Sequence, residues 1–174
     1  MQGRLKYMGK HTGWTLTALL VAALAAPLAV AQGLGTFRDW EAQAYEEDRA
    51  KVCSMWSAPK QAEGNYTRRG EIFAFVTHRT GDKQRNEVSL QMGYPVKDGT
   101  DVIARIGAAK FEMFTESSKA WNRSSDADAK MVKAMRGGRE PIVEGVSRRG
   151  TKTRDTYSLY GFSAAHKAIT AACR

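Results

Sequence analysis

Cys53 and Cys173 are the only two cysteines in this 174-residue chain. If they join, the connectivity is forced, and the bridge closes a loop of about 120 residues. For a loop of that size the chain-entropy argument gives a stabilisation of order 4–5 kcal/mol. Such a bridge would also fasten the last helix of the chain to an early strand. Two free buried thiols are the alternative. Cys53 has no Cys-X-X-Cys partner, which argues against a catalytic thiol.

The compartment decides between bridge and free thiols, and the amino terminus bears on it. Arg4, Lys6 and Lys10 form a cationic start, with no acidic residue before Asp39. An apolar stretch follows from Ala18 to Ala31, broken only by Pro27, and closes with Ala29-Val30-Ala31. That order is a Sec signal peptide, with cleavage predicted between Ala31 and Gln32. The apolar stretch falls short of the roughly 20 residues that span hydrocarbon. Counted from Trp14 to Gly35 it approaches that length, so an uncleaved membrane anchor is the competing expectation. The predicted organisation is therefore a signal over 1–31 and a single domain over 32–174. An exported chain meets an oxidising compartment, which favours the bridge.

Removing Arg4, Lys6 and Lys10 lowers the formal charge from +9 to +6. A moderately basic exported protein is drawn to anionic surfaces such as lipid head groups, lipopolysaccharide or acidic polysaccharide. Nucleic acid is excluded by the expected location.

After a short lead, Gln32 to Gly35, expected to be flexible, the body reads as short strands separated by turn residues at regular spacing. That pattern belongs to a sandwich or barrel. Lys51 to Ser57 is one expected strand. Glu71 to Thr77 is apolar on both faces and is placed centrally. Glu87 to Met92 alternates, with Val88, Leu90 and Met92 inward. Val102 to Ile106 and Lys110 to Thr115 meet near Gly107. Ile142 to Ser147 and Thr156 to Phe162 are expected to pair as a late hairpin around Arg149-Gly150-Thr151-Lys152. Two helices interrupt the strands. The first is capped by Ser125, carries Asp126 and Asp128 in its first turn, and stops in a left-handed turn at Gly137-Gly138. The second starts at Ser163 and carries Ala165, Ala168, Ile169 and Ala172 at helical spacing.

No reaction is legible. His78 and His166 lie 88 residues apart, and each is expected at the surface, so no metal site or cofactor is predicted. Gly145 to Gly150 is one residue too long for a nucleophile elbow. Ser147, Asp155 and His166 make a triad only on paper. No Walker loop or dinucleotide fingerprint is present. Trp40, Trp56 and Trp121 are read as packing anchors. The notable charge feature runs from Arg136 to Arg154, where Arg136, Arg139, Arg148, Arg149, Lys152 and Arg154 face only Glu140 and Glu144. Arg148, Arg149, Lys152 and Arg154 on a hairpin tip would form a cationic contact surface. A loop kept soluble by charge is the alternative. Arg68-Arg69 and Arg79, Lys83 and Arg85 are further basic groups, candidates for extending it.

A set of segments resembles a known family. These are Phe37-Arg38-Asp39-Trp40, Lys51-Val52-Cys53, Arg69-Gly70-Glu71, Asn86-Glu87-Val88-Ser89, Ala120-Trp121, Ser147-Arg148-Arg149-Gly150-Thr151 and Asp155 to Phe162. Together they resemble the invasion-associated locus B family of exported alphaproteobacterial proteins, over essentially all of 37–173. The resemblance implies a Gram-negative periplasmic or outer-surface protein, an immunoglobulin-like β-sandwich and a role in host-cell invasion. It brings no catalytic motif. The expectation is thus a mainly β, non-enzymatic protein of the cell envelope that binds an envelope or host partner, a protein or an anionic surface component, through its basic surface. A tethered accessory subunit and an unrecognised envelope hydrolase are the alternatives.

Overall fold

In the computed structural model of the protein, residues 31–138 and 140–174 are described. The expected signal segment up to residue 30, and Arg139, lie outside them. Eleven strands form one antiparallel sheet: β1 Gln32–Phe37, β2 Trp40–Glu47, β3 Ala50–Ser57, β4 Gln61–Gly64, β5 Phe73–Arg79, β6 Gln84–Gln91, β7 Val102–Ile106, β8 Ala109–Glu116, β9 Lys119–Trp121, β10 Ile142–Val146 and β11 Lys152–Thr156. Their order is β1-β2-β3-β5-β6-β9-β8-β7-β10-β11-β4. Strand β8 joins the two halves, pairing through Ala109–Met113 with β7 and through Phe114–Glu116 with β9. Two helices, α1 Ser125–Gly137 and α2 Phe162–Ala172, complete a mainly β fold with one helix at its carboxyl end.

Alternation places the core. Val88, Leu90 and Met92 are buried, as their spacing predicts. Trp40, Ala42 and Ala44 do the same on β2, a strand whose run of small residues and glutamates hid it from sequence reading. Each large apolar side chain removed from water in this way contributes on the order of 1.5–3 kcal/mol. Strand β5 lies between β3 and β6, as expected. Of its apolar side chains only Ala74 and Val76 are buried, however, while Phe73 and Phe75 stay half-buried on the other face.

Several local expectations are corrected. Gln32–Gly35 is not a flexible lead but part of edge strand β1, because β2 offers it a row of unpaired backbone groups. The late hairpin pairs Ile142–Val146 with Lys152–Thr156, and Tyr157 to Gly161 instead leads into α2. Ser124, not Ser125, caps α1 by accepting from the Ala127 N–H at 3.2 Å. Gly138 is extended rather than left-handed. A Cβ there would lie 2.7 Å from Ile106 Cγ2, so glycine is needed for close packing rather than for a turn.

Helix α2 lies over β2 and β3 and is fixed at both ends. At its start Trp40 Nε1 donates to Ser158 O at 2.9 Å, and the Trp40 ring meets Phe162 edge-on at 5.0 Å. Gly161 has φ 95°, and a Cβ on it would stand 1.8 Å from Phe37 O, so no other residue fits this crossing. At its far end Cys173 is bridged to Cys53, with Cα atoms 6.0 Å apart.

Candidate functional site

A cleft of about 960 Å³ opens where three segments distant in sequence converge. They are the β4–β5 connection Asn65–Gly70, Gly93–Pro95 after β6, and the β10–β11 turn Ser147–Thr151, with Thr153 below. The turn is closed by its own bonds: Ser147 N–H donates to Thr151 O, Gly150 N–H to Ser147 O, and Thr151 N–H to Ser147 Oγ. Arg148 N–H donates to Pro95 O at 2.8 Å, and Gly70 N–H to Gly93 O at 2.8 Å, which locks the three segments together.

Beneath the cleft lies a buried ion pair. Arg69 forks onto Asp155 at 2.7 and 2.6 Å, and its Nε donates to Met92 O at 2.9 Å. The two side chains are 3% and 0% exposed. Tyr94 and Tyr66 flank the guanidinium at 5.0 and 5.5 Å, and the Tyr94 hydroxyl shares a 2.5 Å hydrogen bond with Thr153 Oγ1. Burial raises the pKa of the Tyr94 phenol, so both partners of that bond stay neutral. Arg69 and Asp155 thereby tie the Asn65–Gly70 loop to β11 and neutralise each other.

The predicted basic surface divides. Arg148 and Arg149 border the cleft, together with Arg68 and Arg69. Lys152 and Arg154 do not join them on its wall, because alternation along β11 turns Thr153 and Asp155 inward and these two outward. Arg154 is occupied by Glu144 at 2.8 Å and Glu63 at 3.9 Å. Arg148 meets Asp98 at 3.4 Å, but both side chains are largely exposed and such a pair contributes little. Arg68 and Arg149 have no acidic partner within 4.0 Å among the described residues. No residue lining the cleft is acidic. The sequence identified Arg68-Arg69 as possible extensions of the basic surface. Nothing in it marked Tyr66.

His78 and His166 are buried, 1% and 4% exposed, which overturns the expectation that they lie at the surface. The β5–β6 register breaks between Thr77 and Arg79, and the His78 ring fills the gap by accepting the Asn86 N–H at Nδ1, 3.0 Å away. That contact leaves the Nε2 proton to donate to Thr170 Oγ1 at 3.1 Å. His166 bonds Asn86 Oδ1 through Nε2 at 2.7 Å and takes Arg136 at Nδ1, also at 2.7 Å. The rings meet edge-on at 5.4 Å. Burial, then Arg85, lowers the pKa of His78 to about 4; burial, then Arg136 and His78, does the same for His166. These neutral imidazoles and their partners seat α2. Neither histidine lines the cleft, and each member of the paper triad is engaged elsewhere: Ser147 with Thr151, Asp155 with Arg69, His166 with Asn86 and Arg136. Among the described residues no three His, Cys, Asp or Glu side chains group to hold a metal ion, and no helix is long and apolar enough to cross a membrane.

Compared with known proteins, residues 40–170 match the family model described as Invasion associated locus B (IalB) protein. No curated protein and no solved structure matches. The matched span contains all three segments of the cleft and the buried ion pair beneath it.

Proposed function

The chain belongs to the invasion-associated locus B family, and on that premise we propose that it is an exported, non-enzymatic binding protein of the cell envelope. Its contact site is the arginine cleft, and its partner presents negative charge there. One observation carries this reading: four arginines from segments about 80 residues apart line one cleft that contains no acidic side chain. Family membership supports export, and cleavage near Ala31 with residence in the periplasm or on the outer surface is part of the proposal. The histidines would be the natural bases of a hydrolase, and their place in a sealed network under α2 supports binding over hydrolysis.

Cell fractionation tests the reading. The wild-type protein is expected in the envelope fraction with residues 1–31 removed. Arg148→Glu with Arg149→Glu should leave circular dichroism unchanged and release the protein from its envelope partner. Equal envelope association of the two proteins would refute the assignment of the cleft.

A further inference from the structure

The side chains of the cleft also specify what kind of anion it takes, an inference that rests on the binding role proposed above. All its lining cations are arginines: Arg68, Arg69, Arg148 and Arg149. Arg69 is already neutralised by Asp155, which leaves three guanidiniums on the rim. A single carboxylate offsets one such charge and accepts through two oxygens. A phosphate monoester carries roughly −1.5 to −2 at neutral pH and presents three strong acceptor oxygens. Arginine forks match that geometry bidentately, whereas a lysine offers only a point charge.

The backbone around the cleft narrows the choice. The N–H groups of Gly70, Arg148, Gly150 and Thr151 are all bonded within the protein and are not free to hold an anion, which puts the weight of binding on the arginine forks. The volume, about 960 Å³, exceeds one phosphate several-fold, leaving room for the group that carries it against Tyr66, Tyr94 and Pro95. The weak Arg148–Asp98 contact is easily exchanged for a doubly charged ligand.

We propose that the cleft is a phosphate-monoester site, in which Arg68, Arg148 and Arg149 hold the phosphate and Arg69 is the positioning residue for the Asn65–Gly70 loop. The phosphate is carried either by a soluble sugar or by a membrane lipid. Titration calorimetry of the protein with glucose 6-phosphate tests the first source. Flotation with phosphatidylcholine vesicles containing phosphatidic acid tests the second. Glucose, pure phosphatidylcholine vesicles and polyglutamate are the comparison ligands.

Binding in either phosphate arm, absent with glucose and with pure phosphatidylcholine, is expected to fall at least tenfold in Arg68→Ala/Arg149→Ala. It should change less than twofold in Lys152→Ala/Arg154→Ala, which alters the opposite face of β11. Binding of the sugar phosphate alone assigns a soluble ligand, and binding of the vesicles alone assigns a lipid headgroup. Polyglutamate bound as tightly as the phosphate probes, with the same loss in Arg68→Ala/Arg149→Ala, would overturn phosphate selection while leaving the anion cleft in place. No binding of any probe, or binding indifferent to Arg68 and Arg149, would overturn both.

Discussion

Acidification from pH 7 to pH 5 should destabilise this fold by about 3–4 kcal/mol through two side chains, His78 and His166. In the unfolded chain each histidine titrates near 6.5, while in the fold each is held to about 4, by burial first and then by a neighbouring cation: Arg85 beside His78, Arg136 beside His166. Above pH 6.5 both states are neutral and the full stability is present. As pH falls from 6.5 towards 4, the unfolded chain takes up protons that the folded one refuses, and stability is lost. Below about 4 the folded state also protonates and the loss stops growing. At about 1.36 kcal/mol per pKa unit, the pH 7 to 5 interval removes roughly 2 kcal/mol per histidine. Burial raises the pKa of Glu87 and of Asp128, so their contribution has the opposite sign; it falls nearer the ordinary carboxylate range, which is why the interval ends at pH 5. Urea unfolding followed by tryptophan fluorescence at pH 7, 6 and 5 gives the profile. A His78→Gln/His166→Gln variant should start less stable at pH 7 but lose the slope. A wild-type change below about 1 kcal/mol, or a variant that keeps the slope, would show that the network does not exclude protons as reasoned.

Three further outcomes follow from the same packing. Cys53→Ala/Cys173→Ala should lose about 4–5 kcal/mol in urea unfolding, since the loop it opens spans 120 positions; reduction of the wild type should reproduce the loss. Gly161→Ala should lose about 3 kcal/mol or more, measured by thermal unfolding, because its Cβ would collide with Phe37 O at 1.8 Å in a left-handed backbone. Asp155→Ala should lose about 3–5 kcal/mol in urea unfolding by leaving the Arg69 charge buried and unpaired, whereas substituting exposed Glu63 should change stability by less than about 1 kcal/mol.

Several parts of this architecture were written locally. Alternation announced β6, the apolar run announced β5, and the serine with carboxylates announced α1 to within one residue. Two cysteines left one possible pairing. The first three signals survive in sequence because each depends on side chains within one turn of helix or a few residues of strand, while the pairing needs only the count of cysteines. Strands β1, β2, β4 and β9 were missed for the converse reason: Gln32–Phe37, Trp40–Glu47, Gln61–Gly64 and Lys119–Trp121 have little apolar pattern, and their backbone hydrogen bonds come from a neighbouring strand.

The site divides in the same way. The density of arginine between 136 and 154 was plain, but its division was not. Strand period and register turn Lys152 and Arg154 away, where Arg154 meets Glu63 and Glu144, while the turn held to Pro95 keeps Arg148 and Arg149 at the cleft. The histidines looked like surface residues because sequence shows neither the register break that admits the His78 ring nor the helix laid over it. Thus composition and short-range periodicity by themselves determined a basic, mainly β chain with a forced cysteine pair. Only the tertiary structure placed Arg68 on the same cleft as Arg148 and Arg149, with no carboxylate lining it, because charge acts through space and residues some 80 positions apart share a wall only once the β4–β5 loop is tied to β11 by Arg69 and Asp155.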